Sequence, residues 1–273
     1  MSRTLLLCPP TYFEVRDRKN PYMRAPIDRA RAQVQWDALR RRFEECGLKV
    51  ETIEPVRDLE DMVFAANPVF VGCHEALGKF IVPSEMRYRS RQREVPYYVD
   101  WFCSRGYRVV ALDLIGECLE GHGDLLWHPE RPRVWAGYGF RSTSGGIRKF
   151  TERMQELGFD VTPLQLCDEH FYHLDTCFCP LNSEAALAYT GAFTEEALVS
   201  LRQGWTRLYE LDRSEAIQFM CNGVVANRCY FVSHTSRRLI EALERERVTP
   251  VLVDTSEFER SGGSVFCLKT FLD

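Results

Sequence analysis

The chain has 273 residues and a mass of 31.7 kDa, with 45% hydrophobic residues, 27% charged residues and a formal net charge of −4. This is the balance of a globular protein, and its acidic character gives no sign of a nucleic-acid partner. No apolar run reaches the roughly 18 residues of a membrane span, and the short apolar start is not a signal peptide, so we expect one cytosolic domain over residues 1–273.

Strands and helices are predicted to alternate along the chain. Several helices end at glycines, such as Gly47, Gly106 and Gly158, because glycine readily adopts the left-handed conformation that stops a helix. Helices are predicted at 29–47, 91–105, 143–158, 195–203 and 235–246. Strands are predicted at 5–10, 48–54, 61–71, 79–84, 107–114, 123–128, 133–139, 160–166, 173–181, 184–191, 206–211, 222–233 (as a pair), 248–254 and 261–271.

These elements repeat in the order strand, turn, strand, helix, strand. Successive units open 63, 51, 47 and 45 residues apart, near Asp61, Asp124, Asp175, Asn222 and Cys267. The last unit lacks its helix and final strand, which residues 29–54 can supply. Self-similarity at such a period indicates a ring of supersecondary units. We therefore expect an α/β fold, a five-bladed α/β propeller of pseudo-fivefold ββαβ units closed by pairing of the N- and C-terminal segments. The alternative is an ordinary α/β sandwich.

Polar residues cluster on the opening strands of these units. They are Asp61, Asn67, Glu120, Asp124, His173, Asp175, Asn222 and Cys267. In a ring of repeats the corresponding strand ends converge on the axis, so we expect these side chains to meet in one central pocket. A thiol with a histidine and a carboxylate indicates nucleophilic catalysis, in which the thiolate attacks, the imidazole moves protons and the carboxylate orients the imidazole.

Cys267 and His173 are the strongest catalytic candidates. Gly262 and Gly263 precede the cysteine and allow a ligand to approach the backbone closely. His173 and Asp175 alternate on a predicted strand, so we expect both side chains on one face. The alternatives are structural, because most of the eleven cysteines are expected to be buried thiols and a histidine among apolar residues can be a hydrogen-bonded core residue.

The other polar candidates have structural alternatives too. Glu120 and Asp124 flank a Gly-His-Gly segment that is also the composition of a polar turn. Asn67 stands before a proline, which is ordinary turn chemistry. Arg91 and Arg141 are of a type that usually lies on the surface, although Arg141 follows a tight glycine-containing segment where its guanidinium can hold an anion.

The cysteines predict neither a disulfide framework nor a metal site. They are eleven in number without framework spacing, which favours reduced thiols. Cys177 and Cys179 form the only close pair, and no second pair or histidine couple completes a metal site. We therefore expect no metal and no organic cofactor. The expected partner is a small-molecule substrate, and a homo-oligomer stays open.

Five motifs in this order resemble the guanidino-group-modifying superfamily of five-bladed α/β propellers. That family includes arginine deiminases, dimethylarginine dimethylaminohydrolases, amidinotransferases and arginine dihydrolases. The motifs are DMVFAAN (61–67), LEGHGD (119–124), YGFRS (138–142), HLDT (173–176) and GGSVFC (262–267). The arginine dihydrolase branch is most similar, through CPPTYFEV (8–15), NPYM (20–23), WAGYGFRS (135–142) and FYHLDTCFCPL (171–181).

The resemblance implies a catalytic role for three residues. Cys267 resembles the nucleophile, His173 the general acid and base, and Glu120 the residue that orients the histidine. The expected reaction is hydrolysis at the guanidino group of arginine through a covalent thiouronium intermediate on the cysteine.

The resemblance also implies a set of substrate-binding residues. Asp175 matches a carboxylate that binds the guanidinium group. Arg91 and Arg141 match residues that bind the α-carboxylate of the substrate. Asn20 and Asp124 match further residues of the pocket.

Asn67 departs from the pattern, because deiminases and dimethylarginine hydrolases carry an aspartate there. Two carboxylates favour a cationic substrate, whereas an amide can also bind the neutral ureido group of citrulline. We expect an arginine dihydrolase that gives ornithine, carbon dioxide and two ammonia molecules. The alternatives are a dimethylarginine hydrolase, a deiminase that stops at citrulline, an amidinotransferase and a non-catalytic binding module.

Overall fold

Five three-stranded sheets form the framework of the molecule. The computed structural model describes residues 3–272. The strands are β1 (Thr4–Leu7), β2 (Lys49–Thr52), β3 (Val69–His74), β4 (Gly78–Pro83), β5 (Arg108–Val109), β6 (Leu125–Trp127), β7 (Arg133–Tyr138), β8 (Asp160–Gln165), β9 (Phe178–Pro180), β10 (Ala185–Ala188), β11 (Arg207–Glu210), β12 (Val224–Ala226), β13 (Cys229–Val232), β14 (Thr249–Leu252) and β15 (Lys269–Phe271).

Helices connect the second and third strands of every sheet. The helices are α1 (Arg29–Glu45), α2 (Arg89–Gln92), α3 (Val95–Cys103), α4 (Gly121–Asp124), α5 (Ser144–Glu156), α6 (Glu195–Gly204), α7 (Arg213–Ala216), α8 (Arg237–Arg245) and α9 (Ser256–Glu259). Short 3₁₀ turns lie at Glu169–Phe171, Leu174–Thr176 and Thr190–Ala192. No helix of the described residues is long and apolar enough to cross a membrane.

Each sheet has the same topology. The strand orders are β15-β1-β2, β3-β4-β5, β6-β7-β8, β9-β10-β11 and β12-β13-β14. In every sheet the first pair is antiparallel and the second pair is parallel. The expected five ββαβ units are therefore confirmed, and so is ring closure, because β15 near the C-terminus pairs with β1 near the N-terminus.

Helix α1 shows how sequence places a helix against its sheet. Its N-cap Asp28 accepts a hydrogen bond from the backbone N–H of Arg31 at 3.0 Å, which satisfies one of the open donors of the first turn. Trp36, Leu39 and Phe43 recur on one face of the helix and pack into the apolar cluster that includes β1. The four remaining connecting helices, α3, α5, α6 and α8, likewise bury apolar side chains.

The opening segments of the units differ from the predicted strands. Residues 61–67 form turns, α4 occupies the predicted start of the second unit, and Leu174–Thr176 is a 3₁₀ turn. Residues 260–268 are also turns and irregular backbone, so β15 begins only at Lys269. The prediction that His173 and Asp175 alternate on a strand is therefore wrong.

Side-chain hydrogen bonds to the backbone explain this difference. Asp124 Oδ1 accepts from the backbone N–H of Leu174 at 3.1 Å. Asn222 Oδ1 accepts from the backbone N–H groups of Ser264 and Cys267, at 3.0 and 3.4 Å. Such bonds give the backbone an alternative to a sheet ladder. The buried polar residues thus hold tight turns, and the regular strands start after them.

Two further boundaries differ from the prediction. The helix expected at 91–105 is divided into α2 and α3, and Pro96 occupies the first turn of α3, where proline starts a helix rather than continuing one. The strand expected at 107–114 is reduced to the two residues of β5.

Candidate active site

A cavity of about 290 Å³ lies where the opening turns of the units meet. Its lining residues come from distant parts of the chain and are Lys19, Asn20, Met23, Asp61, Phe64, Asn67, Arg91, Arg141, Tyr172, His173, Ser261, Gly263 and Cys267. Six of the nine predicted site residues are in this set. The other three, Glu120, Asp124 and Asp175, are buried and hydrogen-bonded to residues around it.

Cys267 is held in its turn by two polar neighbours. Its Sγ donates to Asp175 Oδ2 at 3.1 Å and accepts from Asn222 Nδ2 at 3.3 Å. Burial raises the pKa of the Cys267 thiol well above its ordinary value, and the carboxylate of Asp175 adds to the shift. The thiol is therefore protonated, and a cation bound beside it favours the thiolate.

Gly263 makes room for this cysteine. A Cβ atom at this position would lie 2.6 Å from the ring of Phe64 and 2.9 Å from Cys267 Cβ. Gly262 has a φ of +94°, a conformation that side-chain-bearing residues rarely adopt. The two glycines thus serve both the turn and the close approach to Cys267.

His173, Glu120 and Arg141 form a buried hydrogen-bonded row. Glu120 Oε2 lies 2.7 Å from His173 Nε2 and 3.0 Å from Arg141 Nη1. Burial favours the protonated acid, but the charges of Arg141 and His173 outweigh it and hold the pKa of Glu120 well below its usual range. Glu120 is therefore ionised, so His173 Nε2 carries the proton of this bond. The Nδ1 atom of the ring is left for chemistry.

Asn67 presents an unpaired donor. Arg91 Nη1 donates to Asn67 Oδ1 at 3.0 Å, which fixes the orientation of the amide. Asn67 Nδ2 is buried and has no hydrogen-bond partner among the described residues. A buried polar atom without a partner costs about 1–3 kcal/mol, so this donor is suited to a ligand.

Asp175 presents an unpaired acceptor. Its Oδ2 accepts from the Cys267 thiol, while its Oδ1 is buried and has no partner in the described part of the chain. Burial raises the pKa of Asp175 to about 7, although hydrogen bonds from Cys267 and Asn222 act in the opposite direction. A bound cation would relieve this unfavourable environment and pair with the carboxylate.

Arg91 and Arg141 both line the cavity but are already engaged. Arg91 binds Glu94 at 3.0 Å and donates to backbone carbonyls of Asp61 and Phe64. Arg141 Nη2 donates to the backbone carbonyl of Lys19 at 3.0 Å. A substrate carboxylate therefore has to compete with existing partners at either guanidinium.

Asn20 and Asp124 occupy different positions relative to the cavity. Asn20 lines it and donates from Nδ2 to the carbonyl of Ser261 at 2.9 Å, which ties the N-terminal loop to the segment before Cys267. Asp124 does not line it, and its carboxylate accepts from Leu174 and from the backbone and hydroxyl of Ser142. That position favours support of the turn after His173 over direct substrate contact.

The structure adds residues to the nine predicted site residues. Asn222, which the unit repeat placed among the polar residues of the central pocket without assigning it a role, bonds Cys267 directly. Lys19 pairs with Asp61 at 3.0 Å in the cavity wall. Tyr172 donates to the carbonyl of Gly262. Lys19 lies in a polar loop, where no spacing or repeat marks it.

Comparisons of the sequence with known proteins identify similar enzymes that act on guanidino compounds. No family model matches the chain. The chain is 35% identical, over 97% of its length, to the bifunctional arginine dihydrolase/ornithine cyclodeaminase ArgZ of Synechocystis. It is 34% identical, over 96% of its length, to the bifunctional enzyme AgrE of Nostoc. The chain spans 37% of the length of each of these two proteins. It is also 34% identical to a dimethylarginine dimethylaminohydrolase of Mycobacterium tuberculosis, with 97% of the chain and 84% of that protein covered.

Solved structures agree with the sequence comparison. The N-terminal domain of ArgZ, a cyanobacterial arginine dihydrolase, superposes with a TM-score of 0.92 and 32% identity in a substrate-bound cysteine-to-serine mutant, over 99% of this chain and 98% of the domain. The citrulline complex of a dimethylarginine hydrolase from Pseudomonas aeruginosa has a TM-score of 0.80 at 19% identity, over 99% of both chains, which shows the shared fold.

Proposed function

The chain belongs to the guanidino-group-modifying superfamily of five-bladed α/β propellers, and from this premise we propose that it is an arginine dihydrolase. Arginine and two molecules of water give ornithine, carbon dioxide and two molecules of ammonia. The similarity to the N-terminal domain of ArgZ over nearly the full length of both supports this choice.

The observation that carries the proposal is a pair of buried polar atoms without partners among residues 3–272, one a donor on Asn67 in the cavity of Cys267 and the other an acceptor on Asp175 beside the thiol. Asp175 Oδ1 can accept from a guanidinium N–H, and Asn67 Nδ2 can donate to the carbonyl oxygen of a ureido group. A guanidinium has only donors, so a site for arginine alone has no use for the second feature. The two atoms together suit both arginine and citrulline.

The first half of the reaction uses Cys267 and His173. The guanidinium binds beside Asp175 and lowers the pKa of the thiol, so that the thiol gives its proton to His173 and the thiolate attacks the guanidinium carbon. His173 protonates the departing ammonia and leaves a thiouronium group on the cysteine. It then takes a proton from water, which attacks this group and releases the thiolate and citrulline.

The second half repeats the same steps on retained citrulline. Asn67 donates to the ureido oxygen while Cys267 attacks the ureido carbon, and the second ammonia leaves. Water then releases N-carboxyornithine from the thiocarbamate on the cysteine. This carbamate loses carbon dioxide and gives ornithine.

The remaining residues position the substrate. Glu120 orients His173 in both halves. Arg141 is better placed than Arg91 for the α-carboxylate, because Arg91 holds Asn67 through a direct hydrogen bond. Asn20 tethers the segment before Cys267, and Asp124 supports the turn that carries His173.

Dimethylarginine hydrolysis is the second candidate function. The relative from M. tuberculosis is matched over 84% of its own length at 34% identity. This similarity favours dimethylarginine hydrolysis over the activity of a deiminase or an amidinotransferase. Release of dimethylamine from dimethylarginine would distinguish it. An amidinotransferase needs an amine acceptor, and a binding module would show no turnover with any of these compounds.

The proposal treats residues 1–273 as one catalytic domain, because β1 and β15 join both ends of the described chain in one sheet. Its free cysteines suit a reducing compartment such as the cytosol. The proposed partner is a small guanidino compound, with no metal or organic cofactor and no nucleic acid or membrane. The oligomeric state is open.

The test is incubation of the purified chain with arginine, followed by separation of the amino-acid products. Ornithine is the expected end product. Cys267→Ser should lose activity by orders of magnitude while keeping its circular dichroism spectrum, because a neutral hydroxyl is a far weaker nucleophile. Citrulline as the lasting product, or near wild-type turnover in the serine variant, would overturn the proposal.

A further inference from the structure

A second cavity is lined by the first strand of each sheet and by residues next to it. Counted out to open solvent, its space is about 1060 Å³, against about 290 Å³ for the candidate active site. Each sheet contributes a residue from its first strand, and these are Val71, Leu126, Cys179, Val224 and Lys269. The residues that line the candidate active site lie outside the strands, and the two cavities have no lining residue in common.

Lys269 is the unusual residue of this second cavity. Its side chain is buried, with 2% of the residue exposed, and it has no ion-pair or hydrogen-bond partner for its amine in residues 3–272. The amine instead lies over two aromatic rings, 3.3 Å from the centre of Phe266 and 4.8 Å from that of Phe271. Lys19, the other buried lysine, shows the ordinary solution, since it pairs with Glu60 and Asp61.

The environment makes this amine a nucleophile. Burial lowers the pKa of Lys269 to about 7, and the charge of Arg3 acts in the same direction. A large fraction of the amine is therefore uncharged at neutral pH, and an uncharged lysine amine forms Schiff bases with carbonyl compounds.

The other lining residues indicate what else a ligand of this cavity carries. Arg3 lines it, and its guanidinium lies 3.6 Å from the centre of the Phe271 ring. His122 lies in the wall, but both of its ring nitrogens are already hydrogen-bonded. Nε2 accepts from the backbone N–H of Val71 and Nδ1 bonds the carbonyl of Leu125, both at 3.0 Å. Apart from the exposed Glu130 and the amide of Asn182, the remaining wall is apolar and aromatic. Cationic and apolar groups together suit a small organic carboxylate.

We propose that the second cavity binds a small 2-oxo acid, with its keto carbon bonded to Lys269 and its carboxylate bound by Arg3. The lone pair of Lys269 Nζ attacks the keto carbon to give a carbinolamine. Loss of one water molecule then gives the imine, so no oxidant or reductant is required. This cavity shares no lining residue with that of Cys267, although the charges of Asp175 and Cys267 reach Lys269 and act to raise its pKa, and the proposal does not depend on the activity proposed above.

The test uses the wild-type protein and its five lysines, Lys19, Lys49, Lys79, Lys149 and Lys269. The chain is incubated at neutral pH with pyruvate and sodium cyanoborohydride, which reduces an imine to a stable secondary amine. Peptide mass mapping then gives the rate of modification at each lysine. Lys269 should react about tenfold faster or more than the exposed Lys49, because far more of its amine is uncharged at this pH.

Matched reagents and variants define the site. Propanal, which has the aldehyde but no carboxylate, should modify Lys269 more slowly relative to Lys49 than pyruvate does. Lys269→Arg should remove the fast modification, and Lys49→Arg should keep it. Equal rates at Lys269 and Lys49 in the wild type would overturn the proposal whatever the variants do. If propanal modified Lys269 relative to Lys49 by the same ratio as pyruvate does, the assignment of a 2-oxo acid would be overturned.

Discussion

Asp175 and Cys267 are buried against each other, and neither is hydrogen-bonded to a cation among residues 3–272. Burial raises the pKa of both groups, so the charged forms that catalysis needs are disfavoured until a cation binds. Asn67 Nδ2 adds an unpaired donor nearby. The free-energy cost of burying these polar groups therefore arises at the residues that contact the proposed substrate. At such residues, substitutions that stabilise the fold are expected to reduce activity.

We predict that Asp175→Asn stabilises the empty protein in a pH-dependent way. The folded-state pKa of about 7 lies above the ordinary value of 3.8, so between these values the folded wild type retains a proton that the unfolded chain releases. The unfolding free energy of the wild type therefore falls as pH rises through this window. Asparagine does not titrate, so the variant should gain in relative stability from about pH 4 to about pH 7 and level off above.

Thermal unfolding of both proteins across this range measures the difference. A difference between the two melting temperatures that stays constant with pH would contradict the assigned pKa of Asp175. The variant should also lose turnover of arginine, because the carboxylate charge that pairs with the guanidinium is gone.

The sequence alone identifies the candidates whose residue type suits the chemistry, such as Cys267, His173 and Glu120. The structure confirms that they are close neighbours of one cavity. Contacts that join distant segments were beyond prediction, because nothing in the local sequence reports them. Lys19 in the wall and the bond from Tyr172 to the carbonyl of Gly262 are two of these.

At the scale of elements, the turns before the first strands carry the site. Apolar runs such as 261–271 predict strands, and the strands do form, but only after the polar part of each run. The side chains of Asn222 and Asp124 accept hydrogen bonds from backbone N–H groups that would otherwise bond a neighbouring strand in the sheet. Propensity could not reveal this, since the decisive partner of each turn lies in another unit.

We predict that Gly263→Ala lowers kcat about a hundredfold. The new methyl group would meet Phe64 and the Cβ of Cys267 well inside contact distance, so the nucleophile must shift, and a misplacement of about 1 Å costs about 10²-fold in rate. Gly158→Ala is the control, because this glycine has a φ of +79° and no atom within 4 Å of the new methyl.

The control should lose about 1 kcal/mol of stability from backbone strain and keep its kcat. Steady-state kinetics and thermal unfolding of both variants separate the two effects. Equal kcat values for the two variants would show that the turn before Cys267 tolerates displacement, contrary to the geometry.

On the scale of the whole molecule, the site exists only because the ring closes. Each of the five units contributes at least one polar residue to the cavity or its immediate surroundings, for example Asn67, Glu120, His173, Asn222 and Cys267. The number of units and their order follow from the spacing of the sequence repeats. The second cavity does not, because the apolar and cationic residues that line it come from all five sheets and have no common motif.

The central claim is that Asn67 lets the enzyme cut citrulline as well as arginine, and supplying citrulline as the sole substrate tests it most directly. The wild type should convert citrulline into ornithine. Asn67→Asp, which lacks the N–H donor but keeps an acceptor for the guanidinium, should leave citrulline intact and release it as the lasting product from arginine. A wild-type enzyme that leaves citrulline unchanged, or an aspartate variant that still forms ornithine from it, would contradict the account.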